Sequence, residues 1–184
     1  LHADETPMPW AARLAALHTG GGATGFLQDI GVDPRALGDG DLSALRALAA
    51  AGGADPAALA RNAVQRLAGD LVRCRGEVFD RRFIRRRRRV CAQCLVEDSG
   101  DAATPDPWRL RVRLAWTLSV VAICPKHGIR LLDLGGGGEP GRDVALSLAD
   151  WTAWRRIRRA ANEAEAGTSS PLQRYALDRL EGVA

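Results

Sequence analysis

Two short pairs of soft ligands constrain this 184-residue chain more than any other feature. Cys91 and Cys94 are spaced C-x2-C, and Cys124 and His127 are spaced C-x2-H. A two-residue gap puts both side chains of a pair on one tight turn, so each pair can offer two deprotonable donors to the same ion. Gly128 directly after the second pair lets the chain turn away without steric cost. Three thiolates and one imidazole fill a tetrahedral zinc site and leave no position for water or substrate. The expectation is therefore one structural Zn2+, held by Cys91, Cys94, Cys124 and His127. The fourth cysteine, Cys74, stands outside both pairs and reads as a small buried apolar residue.

Elsewhere the pattern is helical. Thr6 to Pro9 opens a helix with Trp10, Leu14 and Leu17 on one face, stopped by Gly20 to Gly22. Phe26, Leu27 and Ile30 mark a second helix ended by Gly31. Asp41 caps a third, with Leu42, Leu45 and Leu48 inward and Gly52-Gly53 closing it. Asp55-Pro56 opens a fourth that carries Leu59, Ala63, Leu67 and Leu71. Such a bundle could serve as a scaffold or contain a helix-turn-helix, and spacing alone does not separate the two. Asp98 to Pro107 reads as an exposed loop. Beyond it Trp108, Leu110, Val112, Leu114 and Trp116 alternate with Arg109, Arg111 and Arg113, which predicts a strand with an arginine-rich outer face. Trp108, Val112 and Trp116 would also satisfy one face of a short helix. Both tryptophans are expected to pack against the zinc module rather than stack on bases. Val120, Val121 and Ile123 predict an extended approach to Cys124. Gly135 to Gly138 read as a linker.

After that linker, Leu148, Trp151, Trp154 and Ile157 recur along a helix whose other side carries Arg155, Arg156, Arg158 and Arg159. Ser170-Pro171 caps a last helix with Leu172, Tyr175, Ala176 and Leu180 on its apolar side. Such a pair packs on the core or docks a partner helix, and packing is the commoner outcome. The expected fold is mainly α with a small zinc-ribbon-like β element. It divides into an N-terminal helical region (1–75), a central Cys3His module (76–134) and a C-terminal helical segment (139–184).

Twenty-five of the 26 basic residues are arginine, and the formal net charge is +4. Arginine forks into two parallel hydrogen bonds and suits phosphate better than lysine does. From Arg73 to Arg89 nine arginines stand against Glu77 and Asp80 alone. Val78, Phe79, Phe83 and Ile84 interrupt them, so the stretch is anchored. A charge run of this kind is either a solvated face or a polyanion site, where counterion release would relieve the self-repulsion. Arg85, Arg86, Arg87, Arg88 and Arg89, with Arg109, Arg111 and Arg113, are the candidate phosphate contacts. If 85–90 is extended, only about half of its arginines share one surface.

The residues around the ligands carry a family resemblance. Arg89-Val90-Cys91-Ala92-Gln93-Cys94-Leu95-Val96-Glu97-Asp98, then Trp108-Arg109-Leu110, Trp116, and Val121-Ala122-Ile123-Cys124-Pro125-Lys126-His127-Gly128 with Leu131-Leu132, resemble the TniQ family. That family comprises accessory proteins of bacterial transposition related to the TnsD target selectors. The resemblance is strongest from Arg89 to Leu132. Ala92 stands where the family usually has proline, and no cysteine or histidine follows His127, so a further zinc module is not expected here. The resemblance implies a targeting role, a partner ATPase of the AAA+ class, and DNA or a DNA-bound guide-RNA effector complex as the surface engaged. A homodimer is compatible with it.

Some classes are disfavoured by what the sequence lacks. The glycine runs have no Gly-Lys-Ser/Thr ending, and His2 and His18 have no nucleophile in a recognisable motif nearby, so no enzyme is expected. No apolar run is long enough to span a bilayer, and the first residues are polar and acidic rather than a secretory signal, which predicts a cytoplasmic protein. The chain starts at Leu1, which leaves open that it is a segment of a longer one. Two other readings stay open beside the targeting role. One is a protein–protein adaptor that never touches DNA, and the other a zinc-ribbon transcription regulator.

Overall fold

A computed structural model describes residues 1–85, 88–135 and 144–181. The expected phosphate contacts Arg86 and Arg87, and Gly136 to Gly138 of the expected linker, lie outside the described residues. Among the described residues about half are helical, joined by two small antiparallel sheets.

Five helices come first: α1 (Pro7–His18), α2 (Ala23–Asp29), α3 (Pro34–Gly38), α4 (Leu42–Gly52) and α5 (Pro56–Arg61). Asp33, Asp41 and Asp55 start α3, α4 and α5 by accepting backbone N–H groups of the first turn in their carboxylates. Trp10, Leu27, Val32, Leu37, Leu45, Leu48 and Leu59 bury together between these helices. The predicted α1 face is shifted. Leu17 is half exposed, and the alanine side, Ala12 and Ala16, faces a second and larger cluster. Thus α1 lies between two cores.

The predicted fourth helix does not reach Leu71. Helix α5 stops at Arg61, and the chain enters a three-stranded sheet of β1 (Gln65–Arg66), β2 (Leu71–Cys74) and β3 (Glu77–Asp80), in that order. Leu67 and Leu71 flank a turn at Gly69-Asp70 that the Leu67 N–H closes on the Leu71 carbonyl. Helical spacing and a short reversal both bring residues four apart together, which is why the pattern misled. In β2 the exposed Leu71 and Arg73 alternate with the buried Val72 and Cys74. Arg75 turns the next hairpin at φ 52°, and its guanidinium donates to Asn62 Oδ1 and to the carbonyls of Ala3 and Leu180.

The remaining elements are β4 (Arg89–Val90), α6 (Ala92–Ser99), β5 (Leu132–Asp133), α7 (Val144–Ala149), α8 (Trp151–Asn162) and α9 (Pro171–Glu181). No strand forms over 108–116. Short 3-10 turns occupy Pro107–Arg109 and Leu114–Thr117 instead. The alternation still governs burial, since Leu110, Val112, Leu114 and Trp116 are all inside, whereas Trp108 stays partly exposed. The predicted loop also begins later than Asp98, because α6 runs on to Ser99.

The larger cluster draws on every part of the chain: Ala12 and Ala16, Cys74, the residues around the cysteine pairs, and Leu148, Trp154, Ile157 and Leu180 of the last three helices. Packing on the core is therefore what α7, α8 and α9 do. The apolar side of α9 is the predicted one only in part: Leu180 is buried and Ala176 packs on the cluster, but Leu172 and Tyr175 are exposed and Gln173 is buried. No helix among the described residues is long and apolar enough to cross a membrane.

Candidate metal centre

Cys91 is the residue from which α6 springs, with extended backbone at φ −87° and ψ 118°. Its carbonyl accepts the Leu95 N–H, closing the first helical turn, and Cys94 follows on that turn. The second pair is built differently. Cys124 donates its N–H to the Ile129 carbonyl and accepts from the Gly128 N–H, which folds 124–129 into a knuckle. Gly128 sits at φ +66°, where a side chain would be strained. Pairing of β4 with β5, Val90 opposite Leu132, sets the two turns side by side.

The four ligand atoms then lie within 4.8 Å of one another. Cys94 Sγ is 3.7 Å from Cys124 Sγ, and His127 Nδ1 is 3.4, 3.3 and 3.8 Å from the sulfurs of Cys91, Cys94 and Cys124. An ion with bonds of about 2.3 Å to sulfur and about 2.0 Å to nitrogen holds tetrahedral ligands roughly 3.5–3.8 Å apart. The four residues match that frame and could hold a metal ion. The three sulfurs are buried and the imidazole nearly so. Hydrogen bonding with Cys124 keeps protons on Cys91, whose pKa is pushed up to about 11, and on Cys94, while the same contacts depress Cys124. Three buried thiolates cannot coexist without a cation among them.

Around these four residues stands a supporting ring that the expected site residues do not include. Glu97, one helical turn after Cys94, takes the other imidazole nitrogen, His127 Nε2, at 2.9 Å and Lys126 Nζ at 2.5 Å. This leaves Nδ1 free to ligate, the usual carboxylate–histidine support of a metal site. Position i+3 from a ligand on a helix was the available clue to Glu97. Gln173 of α9, buried at 1 % exposure, accepts the N–H groups of Ala122 and Ile123 and donates to the Ile123 carbonyl. Gly167 packs so closely on Ile123 that a Cβ there would collide with its side chain, and its N–H donates to the Gly128 carbonyl. A glutamine far along the chain offers no sequence clue to this contact.

The candidate arginines divide sharply. Arg85 donates to the carbonyls of Leu118, Ser119 and Val121, bracing the approach to Cys124. Arg111 and Arg113 both grip Asp98, whose side chain is 2 % exposed, at 2.6 and 3.0 Å. Arg113 also lies over the Trp116 ring. The expected arginine-rich outer face of 109–113 is thus two inward clamps, with only Arg109, paired to Asp106, well exposed. Arg88 reaches Ser147 on α7, and Arg89 reaches Asp133 at 3.4 Å.

The family model for TniQ matches residues 1–131, about seven-tenths of the chain and all four ligands. The chain belongs to the TniQ family. No curated protein and no solved structure matches it. The TniQ match takes in the N-terminal helices as well as the module around the ligands. Gly167, Gln173 and the arginines of α8 lie beyond the matched TniQ residues.

Proposed function

We propose that this protein is a TniQ-type accessory factor that helps select the target of transposition. It binds DNA or a DNA-bound targeting complex and recruits an AAA+ ATPase. Membership of the family supports a transposition-associated role. One observation carries the rest of the reading: four protein donors lie within 4.8 Å of one another, enough to fill every position around a tetrahedral ion. Three thiolates with one imidazole suit zinc, and a site with no open position organises the fold rather than performing chemistry. The protein accordingly works as a binding platform. Candidate phosphate contacts are the exposed Arg109, with Arg88 and Arg89 at the edge of β4, and Arg86 and Arg87 between them and Arg85. The inward commitment of Arg85, Arg111 and Arg113 favours, as a second reading, an adaptor that meets only protein.

The deciding measurement is affinity for duplex DNA across a salt series, on protein whose metal content is known. Direct binding is expected to weaken steeply with salt, as phosphate neutralisation releases counterions. No binding at low salt would overturn it in favour of the adaptor. Elemental analysis is expected to return one zinc per chain, and a metal-free protein of undiminished stability would defeat the structural-zinc reading.

A further inference from the structure

We propose that the arginine face of α8 continues the β4 arginines into a single track for the phosphate backbone of duplex DNA. This rests on the reading that the protein touches DNA directly. The junction is at residues 133 and 134. Arg88 accepts the Leu134 N–H in its carbonyl, Arg89 pairs with the Asp133 carboxylate, and Arg156 of α8 donates to the carbonyls of Asp133 and Leu134 at 2.6 and 3.3 Å. Two guanidiniums from distant segments thus meet at Asp133, Arg89 on its carboxylate and Arg156 on its carbonyl. Like charges so close repel, and the crowding is relieved when phosphates neutralise it.

From Arg156 the positive surface extends along the helix. Arg155, Arg156 and Arg159 are exposed. Their spacing puts all three on one face, with Arg155 and Arg159 one turn apart, about 6 Å along the axis. The opposite side, Trp154 and Ile157, is sealed in the core, which fixes the direction of the arginine face. No acidic residue occurs in α8 between its cap Asp150 and Glu163. A rigid row of exposed guanidiniums without interleaved carboxylates suits a repeating polyanion better than a protein surface of mixed charge.

The test uses the full chain loaded with zinc and a labelled duplex of random sequence. The Arg155→Ala/Arg159→Ala variant leaves Arg156 in place, because Arg156 also ties down residues 133 and 134. Removing two phosphate contacts is expected to lower the slope of log affinity against log salt by about 2 in a variant that still folds. An unchanged slope in the variant, beside steep salt dependence in the parent, overturns the α8 track alone and leaves that face to an acidic protein. Absence of DNA binding by the parent overturns the direct-DNA reading and this inference together. Should the variant not fold, arginine-selective modification of the parent serves instead. DNA is expected to protect Arg155 and Arg159, and full modification of both on the bound protein overturns the proposal.

Discussion

The two ligand pairs share a spacing but not a means of support. Cys91 and Cys94 ride on the start of α6, where the Cys91 carbonyl and the Leu95 N–H close the first turn within the helix itself. Cys124 and His127 sit on a knuckle whose flanks are held from afar: Gln173 on the Ala122 and Ile123 amides, Gly167 on Gly128, and Arg85 on the Val121 carbonyl. The turn of the first pair closes within its own helix, whereas the flanks of the second depend on tertiary contacts. Equal motifs can therefore fail in unequal ways.

The largest effect falls on both halves alike. Cys94→Ser and Cys124→Ser are each expected to release the metal and melt the module, since structural zinc contributes on the order of 10 kcal/mol to folding. Metal content and thermal unfolding check this, and a stoichiometric, fully stable variant would contradict it. A smaller effect separates the halves. Gln173→Ala leaves the buried Ile123 amide and carbonyl without their partner, at about 1–3 kcal/mol for each orphaned group. Hydrogen exchange should then quicken at 122–128 while α6 keeps its protection, and equal loosening of α6 would erase the distinction. The smallest effect belongs to Glu97→Ala, which removes the support of the imidazole from a half-exposed position. Zinc affinity, measured by competition with a chromogenic chelator, is expected to fall about tenfold, the lower end for such outer partners. No change would mean that His127 is oriented by the knuckle alone.

The same contrast explains what could be read from the sequence. The Cys91, Cys94, Cys124 and His127 cluster was legible because a two-residue gap acts within one turn, whatever the rest of the chain does. The starts of α4, α5 and α9 were legible for a similar reason: Asp41, Asp55 and the Ser170-Pro171 pair act on adjacent residues. Legibility ended where distant partners decide. The arginines of 109–113 look like a polar strand face until Asp98, one turn beyond a ligand on α6, draws two of them inward. Arg85 looks like part of a charge run until the carbonyls at 118–121 take its donors. Gln173 has no pattern at all, because its role depends on α9 returning to the knuckle.

Arg75 ties residues from opposite ends of the described chain, since Ala3 and Leu180 both offer their carbonyls to its guanidinium. Under tension this matters. A pull applied through both of these ends would load those hydrogen bonds first, at a junction to which neither cysteine-bearing turn contributes a bond. A larger assembly tethered at the far end would reach α9, whose Gln173 holds the flank of the Cys124 turn, only after that junction yields.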